Sequence, residues 1–351
     1  RTIYLRAFHK AIEKGHPYSI MGAYNLLYGE HCCQSDFLLK KILRDEWEYD
    51  GTVISDWGAV HDTEKAALSQ LDIEMSVTDN FDEYFMADPL KKAIESGKIR
   101  ESVLDEKVEH ILILMMRLHM LDGEMRKSGS YNTPEHRQVA LDVARESIIL
   151  LKNEHERLPL QKEKLKKILL IGENADRIHS NGGGSAEIKS LYEVTPLLGC
   201  KAHAGGDIQI DYTAGYTSEK TDESRHSENT NWQQDSLQNG GGMVKTLQEA
   251  DQILQDKRVQ LRKEAVQKAS ENYDAVIFVG GLNHDHDAEG NDRSDMKLPY
   301  EQDELIKELL EIRSDMIVVM YAGSPVDMTL WADQAQAILW SYYAGMEGGN
   351  A

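Results

Sequence analysis

The chain reads as an α/β protein in two blocks, each built on a mainly parallel sheet covered by helices. Apolar runs of strand length alternate with segments of helical periodicity from end to end, the pattern of sheets buried on both faces. A polar, glycine-containing stretch at residues 121–132 divides that alternation in two. The 351 residues exceed one ordinary domain and suit two.

Taken in order, residues 19–24 form a short apolar run. Residues 36–47 follow with Leu38, Leu39, Ile42 and Leu43 at a three-to-four-residue period, which makes one apolar helix face. Residues 52–54 carry a β-branched strand signal. Ser55-Asp56-Trp57-Gly58 is polar and glycine-bearing, and reads as a loop leaving the strand's C-terminal end. Residues 88–96 and 102–120 read as helices. The second places Val103, Val108, Ile111, Leu112, Met115 and Leu118 on one stripe, with Gly123 shortly beyond. After the 121–132 linker, Thr133-Pro134 opens a new helix, because Thr caps well and Pro is tolerated at the first helical position. Residues 148–151, 167–171, 275–279, 317–321 and 337–339 are strand candidates, with helices expected near 256–270 and 300–313. Residues 217–242, rich in Ser, Asn, Gln, Asp and Gly, are expected to form a mobile surface loop. The first block, about 1–125, holds too few strand–helix pairs to close a sheet. Together with the start at Arg1 and the stop just after an apolar run, this leads us to expect an internal piece of a longer protein.

Charge narrows the function classes. With 39 basic and 60 acidic residues the formal net charge is −21, which disfavours nucleic-acid backbones and anionic lipid as partners. No run of 18 apolar residues suggests a membrane span. Three cysteines are too few for a disulfide scaffold at this length.

Asp56 is the most suggestive carboxylate, since ligands of parallel α/β architectures bind at the C-terminal ends of strands. The same position also suits a turn or N-cap aspartate. A second candidate is the segment after the strand at 275–279, where Asp285, Asp287, Glu289 and Asp292 crowd with His284 and His286. Like charges this close disfavour one another's ionised forms, so a carboxyl here is expected to hold a proton near neutral pH. The two histidines bring a metal to mind, but no further Cys or His cluster stands at a recognisable ligand spacing, and no metal is expected. Asn181-Gly182-Gly183-Gly184-Ser185 lacks the Gly-Lys-Ser/Thr ending of a phosphate loop. It reads as a turn where a second backbone or a ligand approaches closely. Cys32 and Cys33 read as small buried hydrophobes.

Seven short blocks, in order, resemble glycoside hydrolase family 3 in its β-glucosidase-like branch. Met21-Gly22-Ala23-Tyr24-Asn25 comes first. Leu43-Arg44-Asp45-Glu46-Trp47 then leads into Gly51-Thr52-Val53-Ile54-Ser55-Asp56-Trp57-Gly58-Ala59, similar to that family's nucleophile signature. Ile149-Leu150-Leu151-Lys152-Asn153-Glu154 with Leu158-Pro159-Leu160 resembles the entry to its second domain. Gly182-Gly183-Gly184-Ser185-Ala186 with Val194-Thr195-Pro196-Leu197 is similar to a further block. Glu289-Gly290-Asn291-Asp292-Arg293 with Leu298-Pro299 resembles its acid/base loop. Gly323-Ser324-Pro325-Val326 and Gly345-Met346-Glu347-Gly348-Gly349-Asn350-Ala351 complete the set.

The resemblance implies the C-terminal part of a (β/α)-barrel over 1–125, a linker and connecting helix over 126–145, and an α/β sandwich domain over 146–351. It implies a retaining β-glycosidase with no cofactor, acting on an oligosaccharide or β-glucoside. Asp56 would be the nucleophile and Glu289 the acid/base, with carboxyl groups about 5–5.5 Å apart across the sugar. Their roles need split pKa values, and Asp285, Asp287 and Asp292 are expected to help raise that of Glu289. Tyr24 would lie beside the nucleophile, and Trp57 would offer its ring to a sugar near the leaving-group side. The xylosidase branch tends to carry Cys where this chain has Trp57, so a glucoside is expected. A xyloside or arabinofuranoside, or a non-catalytic carbohydrate-binding relative, is the alternative. The family's Lys–His pair would lie upstream of Arg1, so the isolated 351 residues are expected to be inactive. A periplasmic or secreted setting is expected from the resemblance alone.

Overall fold

The structure is a computed structural model that describes residues 1–76, 78–123, 128–219, 244–290 and 292–351, with side chains of 244–251 excepted. The chain divides into two compact units, Arg1–Gly129 and Ser130–Ala351. Most of the 217–242 stretch and Asn291 lie outside the described residues.

In the first unit, α1 (Arg6–Gly15), β1 (Ser19–Met21) and the hairpin β2 (Leu26–Leu27) and β3 (Glu30–His31) lead to α2 (Asp36–Glu46). Then come β4 (Thr52–Trp57), α3 (Thr63–Leu68), β5 (Ile73–Met75), α4 (Asp88–Glu95) and α5 (Ser102–Arg117). The strands make a parallel sheet in the order β1-β4-β5. Ser35 caps α2 by accepting from the Leu38 N–H at 3.4 Å. This helix is of the wider π type, and its expected face is in place, with Leu39, Ile42 and Leu43 buried. Leu39 and Leu43 join Cys33, Val53, Val60 and Leu71 in the core of this unit.

Under the N-terminal end of β4 lies a polar cluster. Asp72 accepts from the Val53 N–H at 2.7 Å and from Arg44 at 2.8 Å, and its other oxygen lies 2.7 Å from His110 Nδ1. Arg44 also donates to the Tyr49 and Gly51 carbonyls, at 2.7 and 2.6 Å. The Asp72 side chain is 1% exposed and that of Arg44 10%.

Two expectations are corrected here. The strand does not give way to a loop at Ser55: β4 runs through Asp56 to Trp57, which is registered on Met75. The ladder slips between Ile54 and Trp57, and Ser55 Oγ bridges the slip, accepting from the Met75 N–H at 2.8 Å. A polar residue thus continues the strand because β5 supplies its partner. The apolar stripe of α5 is not a buried face either. Val103 is buried, but Val108, Leu112 and Leu118 are 44%, 45% and 40% exposed. Val103 packs on Ala67, Leu90 and Ile99, and the sheet meets this sixteen-residue helix at its middle, where Thr52 Oγ1 donates to the His110 oxygen at 3.1 Å.

The second unit opens with α6 (Pro134–Ser147), capped by Thr133 Oγ, which accepts from the His136 N–H at 3.3 Å. β6 (Ile149–Asn153), β7 (Lys167–Ile171), α7 (Pro196–Ala204), β8 (Gln209–Thr213) and α8 (Val244–Ala269) follow. β9 (Ala275–Gly281), α9 (Gln302–Ile312), β10 (Ile317–Tyr321) and β11 (Ala337–Trp340) complete the unit. The six strands lie in the order β6-β11-β10-β9-β7-β8, all parallel except β6, which runs antiparallel to β11.

Both faces of this sheet are buried, and the strand period of two sorts its residues between them. Leu169, Ile171, Val276, Phe278, Val318 and Met320 pack with Ala265 of α8 and Leu305, Ile306 and Leu309 of α9. Ile168, Leu170, Ala275 and Val279 pack on the other side with Ala204 of α7 and Ile208. The result is helix on sheet on helix, the α/β character expected from the alternating pattern.

Strand order reverses at β7: β8 lies to one side of it and β9 to the other. Such a switch point opens a crevice at the C-terminal strand ends, where ligands of open parallel sheets bind. Gly172 and Gly281 mark those ends, with φ of +122° and +114°. A Cβ at either would fall 2.0 Å from the Val279 oxygen or 2.1 Å from the Tyr321 oxygen, so no other residue fits.

Candidate active site

In the first unit Asp56 stands at the C-terminal end of β4, half-buried, its Oδ1 accepting from the Trp57 N–H at 2.8 Å. Trp57 is 46% exposed. β1 is the neighbouring parallel strand, and the Gly22 N–H still donates to the Ile54 carbonyl at 2.7 Å beyond its end. Tyr24 therefore leaves the same end of the sheet as Asp56. Beneath them Cys33 Sγ lies 3.5 Å from the Ala23 oxygen, and a Cβ on Gly22 would come within 2.5 Å of that sulfur. Burial pushes the Cys33 thiol up to about 11, so it stays protonated and inert, as expected of a small buried hydrophobe.

In the second unit the crevice walls are the loop after β7 and the loop after β9. They run side by side and are tied at successive points. Asn174 Nδ2 donates to the Leu282 oxygen at 2.9 Å, and Arg177 pairs with Asp285 at 3.2 Å. His284 Nε2 lies 2.9 Å from the His179 oxygen and so carries its proton there. Farthest out, Ser185 donates to Glu289 Oε2 from its N–H, at 3.1 Å, and from its hydroxyl. No second backbone crowds Gly182 or Gly183 of this turn: a Cβ on Gly183 would find nothing within 4 Å, and one on Gly182 would first meet Ala186 of the same turn. What the turn holds, through Ser185, is the second candidate carboxylate.

A third expectation is overturned by these contacts. The acidic neighbours do not raise Glu289. The hydroxyl and the N–H of Ser185 favour its charged form and hold the carboxyl below the usual range. Asp285 faces Arg177, and Asp287 turns to the loops after β10 and β11, accepting from Ser324 and from the Gly323 N–H at 2.7 Å in the first and from the Tyr343 hydroxyl at 2.8 Å in the second. Among the described residues no group of three or more His, Cys, Asp or Glu is arranged to hold a metal ion.

The family model described as the glycosyl hydrolase family 3 C-terminal domain matches residues 148–351, and that of the N-terminal domain matches 1–114. The chain belongs to glycosyl hydrolase family 3. It is 38% identical to beta-glucosidase BoGH3A of Bacteroides ovatus over 99% of this chain and 45% of that protein. It is 30% identical to an exo-alpha-(1->6)-L-arabinopyranosidase of Bifidobacterium breve over the whole chain and 41% of that protein. A Bifidobacterium adolescentis beta-glucosidase of known structure superposes with a TM-score of 0.76 at 28% identity, over 98% of this chain and 44% of that one. This family 3 chain spans less than half the length of these relatives.

Several residues that shape the family 3 crevice gave no signal of that role in the sequence. Arg177, Tyr343 and the partnership of Ser185 with Glu289 were not legible. Arg293, which donates to Ser324 Oγ at 3.2 Å and to the Pro325 oxygen, was visible only as part of a motif.

Asp287 makes the crevice sensitive to acid. Burial works against its charge, but the donors Ser324, Gly323 and Tyr343 outweigh burial and depress its pKa. A depressed carboxylate contributes stability above its unfolded pKa of about 3.9, and the contribution is lost as pH falls through the lower folded value. The second unit is therefore expected to lose stability below about pH 4. Tyr343→Phe is expected to flatten that loss in denaturant titrations run from pH 3 to 7. An unchanged slope would show that Asp287 carries none of it.

Proposed function

We propose that this chain supplies both reacting carboxylates of a retaining, exo-acting β-glucosidase that removes terminal β-D-glucosyl residues. The observation that carries the reading is placement: Asp56 and Glu289 each leave the C-terminal end of a parallel sheet, where substrates of such sheets bind. In this reading the first unit is the C-terminal part of a (β/α)-barrel and the second an α/β sandwich domain.

The Asp56 carboxylate attacks the anomeric carbon as the bond to the aglycone breaks, and Glu289 gives its proton to the departing oxygen. A glycosyl ester on Asp56 results. Glu289, now ionised, takes a proton from water. That water attacks the same carbon and frees Asp56, so two inversions retain configuration. Tyr24 flanks the nucleophile, and the exposed Trp57 ring offers a stacking face to the sugar on the leaving-group side. The Bacteroides ovatus relative, a beta-glucosidase, supports glucose as the sugar.

A pentoside is the second reading, favoured by the arabinopyranosidase among the relatives. A pocket that only admits or rejects a hydroxymethyl group separates the two sugars modestly.

Incubating the whole protein with a 2-deoxy-2-fluoro-β-glucoside is expected to label the peptide that carries Asp56, as read by mass spectrometry. A label on another carboxylate would remove Asp56 from the role. An unlabelled protein that hydrolyses aryl xylosides or arabinosides would establish the pentoside reading instead.

A further inference from the structure

We infer that Ser185 is a positioning residue for Glu289, its N–H and hydroxyl together holding one carboxylate oxygen so that the other is presented for proton transfer. The inference rests on the reading of Glu289 as acid/base. Both donors converge on Oε2, and among the described residues Oε1 takes no hydrogen bond. Glu289 is exposed, and an untethered glutamate at such a position spreads over many rotamers. Two donors on one oxygen select an orientation and leave the second oxygen outward.

The turn that carries Ser185 is built to aim it. Asn181 Oδ1 accepts from the Gly183 N–H at 2.9 Å, and the Ala186 N–H returns to the Gly183 oxygen at 3.0 Å. Gly183 sits at φ +68°, where a side chain is strained, and a Cβ on Gly182 would press to 3.0 Å from that of Ala186. The glycines therefore shape a turn, and what the turn delivers is a pair of donors.

The chemistry follows from which oxygen is held. In glycosylation the proton leaves Oε1 for the glycosidic oxygen, and the electron pair remains on the carboxylate. The Ser185 donors on Oε2 face that new charge and stabilise it. In the second half-reaction Oε1 takes the proton of the attacking water while Oε2 stays held. The same donors depress the resting pKa of Glu289, which makes it a stronger acid once protonated and a ready carboxylate for the second step.

The test is the pH profile of kcat/KM for the whole protein and for Ser185→Ala and Ser185→Thr, on an alkyl and a dinitrophenyl β-glucoside. Removing a donor that favours the charged form raises the pKa of the acid. Ser185→Ala is therefore expected to move the basic limb upward by about half to one pH unit. The acidic limb, set by the nucleophile, is expected to stay. The loss of rate is expected to be larger on the alkyl glucoside, whose leaving group needs the proton, and Ser185→Thr is expected to restore the profile. An unmoved basic limb with equal losses on both substrates would overturn the inference and leave Ser185 a residue of pocket shape. A Glu289→Ala variant that azide does not reactivate on the dinitrophenyl substrate would instead remove the acid/base reading itself.

Discussion

Asp56→Ala in the whole protein is expected to lower kcat on an aryl β-glucoside by about a thousand-fold or more, with glucose affinity little changed. Deleting a nucleophile abolishes the covalent route and leaves only positioning and electrostatics. Glu289→Ala is expected to behave differently. A dinitrophenol leaves without a proton, so that substrate still forms the glycosyl-enzyme. An alkyl glucoside is expected to lose about a hundred- to ten-thousand-fold, the usual worth of general acid catalysis. Azide separates the roles by product. Added to the Glu289 variant it takes the place of water at the second step and gives a β-glucosyl azide. Added to the Asp56 variant it takes the place of the nucleophile and gives the α anomer. NMR of the products reads the outcome directly. A Glu289 variant producing the α azide, or an Asp56 variant within tenfold of the parent rate, would sink the assignment.

The second large effect concerns stability. Asp72→Ala is expected to destabilise the first unit by about 3–5 kcal/mol, because it leaves the nearly buried Arg44 guanidinium without its partner and the Val53 N–H without its acceptor. Replacing both partners, Asp72→Leu with Arg44→Met, is expected to recover much of the loss, since paired removal also removes the desolvation cost of the charges. Urea unfolding of the three variants reads this. If Asp72→Ala costs less than about 1 kcal/mol, the cluster is a surface-like pair of little weight.

Where burial is two-sided, the strands of the second unit were plain in the sequence. β7, β9 and β10 bury both faces, which leaves runs such as Ile168-Leu169-Leu170-Ile171 with no polar interruption. β8, Gln-Ile-Asp-Tyr-Thr at the sheet edge, was missed because an edge strand with half-buried polar residues lacks that mark. α7 was missed although Thr195-Pro196 repeats the Thr-Pro start of α6, because no apolar stripe follows it. The candidate carboxylates were legible as residues but not as electrostatics. The expectation for Glu289 assumed that its acidic neighbours face it. The structure sends Asp285 to Arg177, 108 positions away, and Asp287 to Ser324 and Tyr343, 37 and 56 positions away. The donor that sets Glu289 lies 104 positions upstream. Local spacing brings charges together on paper, and long-range partners decide their state.

The antiparallel pairing of β6 with β11 bears on how the protein is made. Among the described residues, the first strand of the second unit pairs only with the last, Asn153 lying opposite Ala337, 337 − 153 = 184 residues later. At a synthesis rate of about 5–20 residues per second, β6 waits roughly 10–40 s for that partner to be synthesised. During that time Ile149, Leu150 and Leu151 lie on an open edge, able to pair with any strand that meets them. β7 to β10 are neighbours in sequence and assemble without β6. The order of emergence thus makes the entry strand of this unit the last to dock, and the interval before it does is when the nascent chain is most exposed to association with other chains.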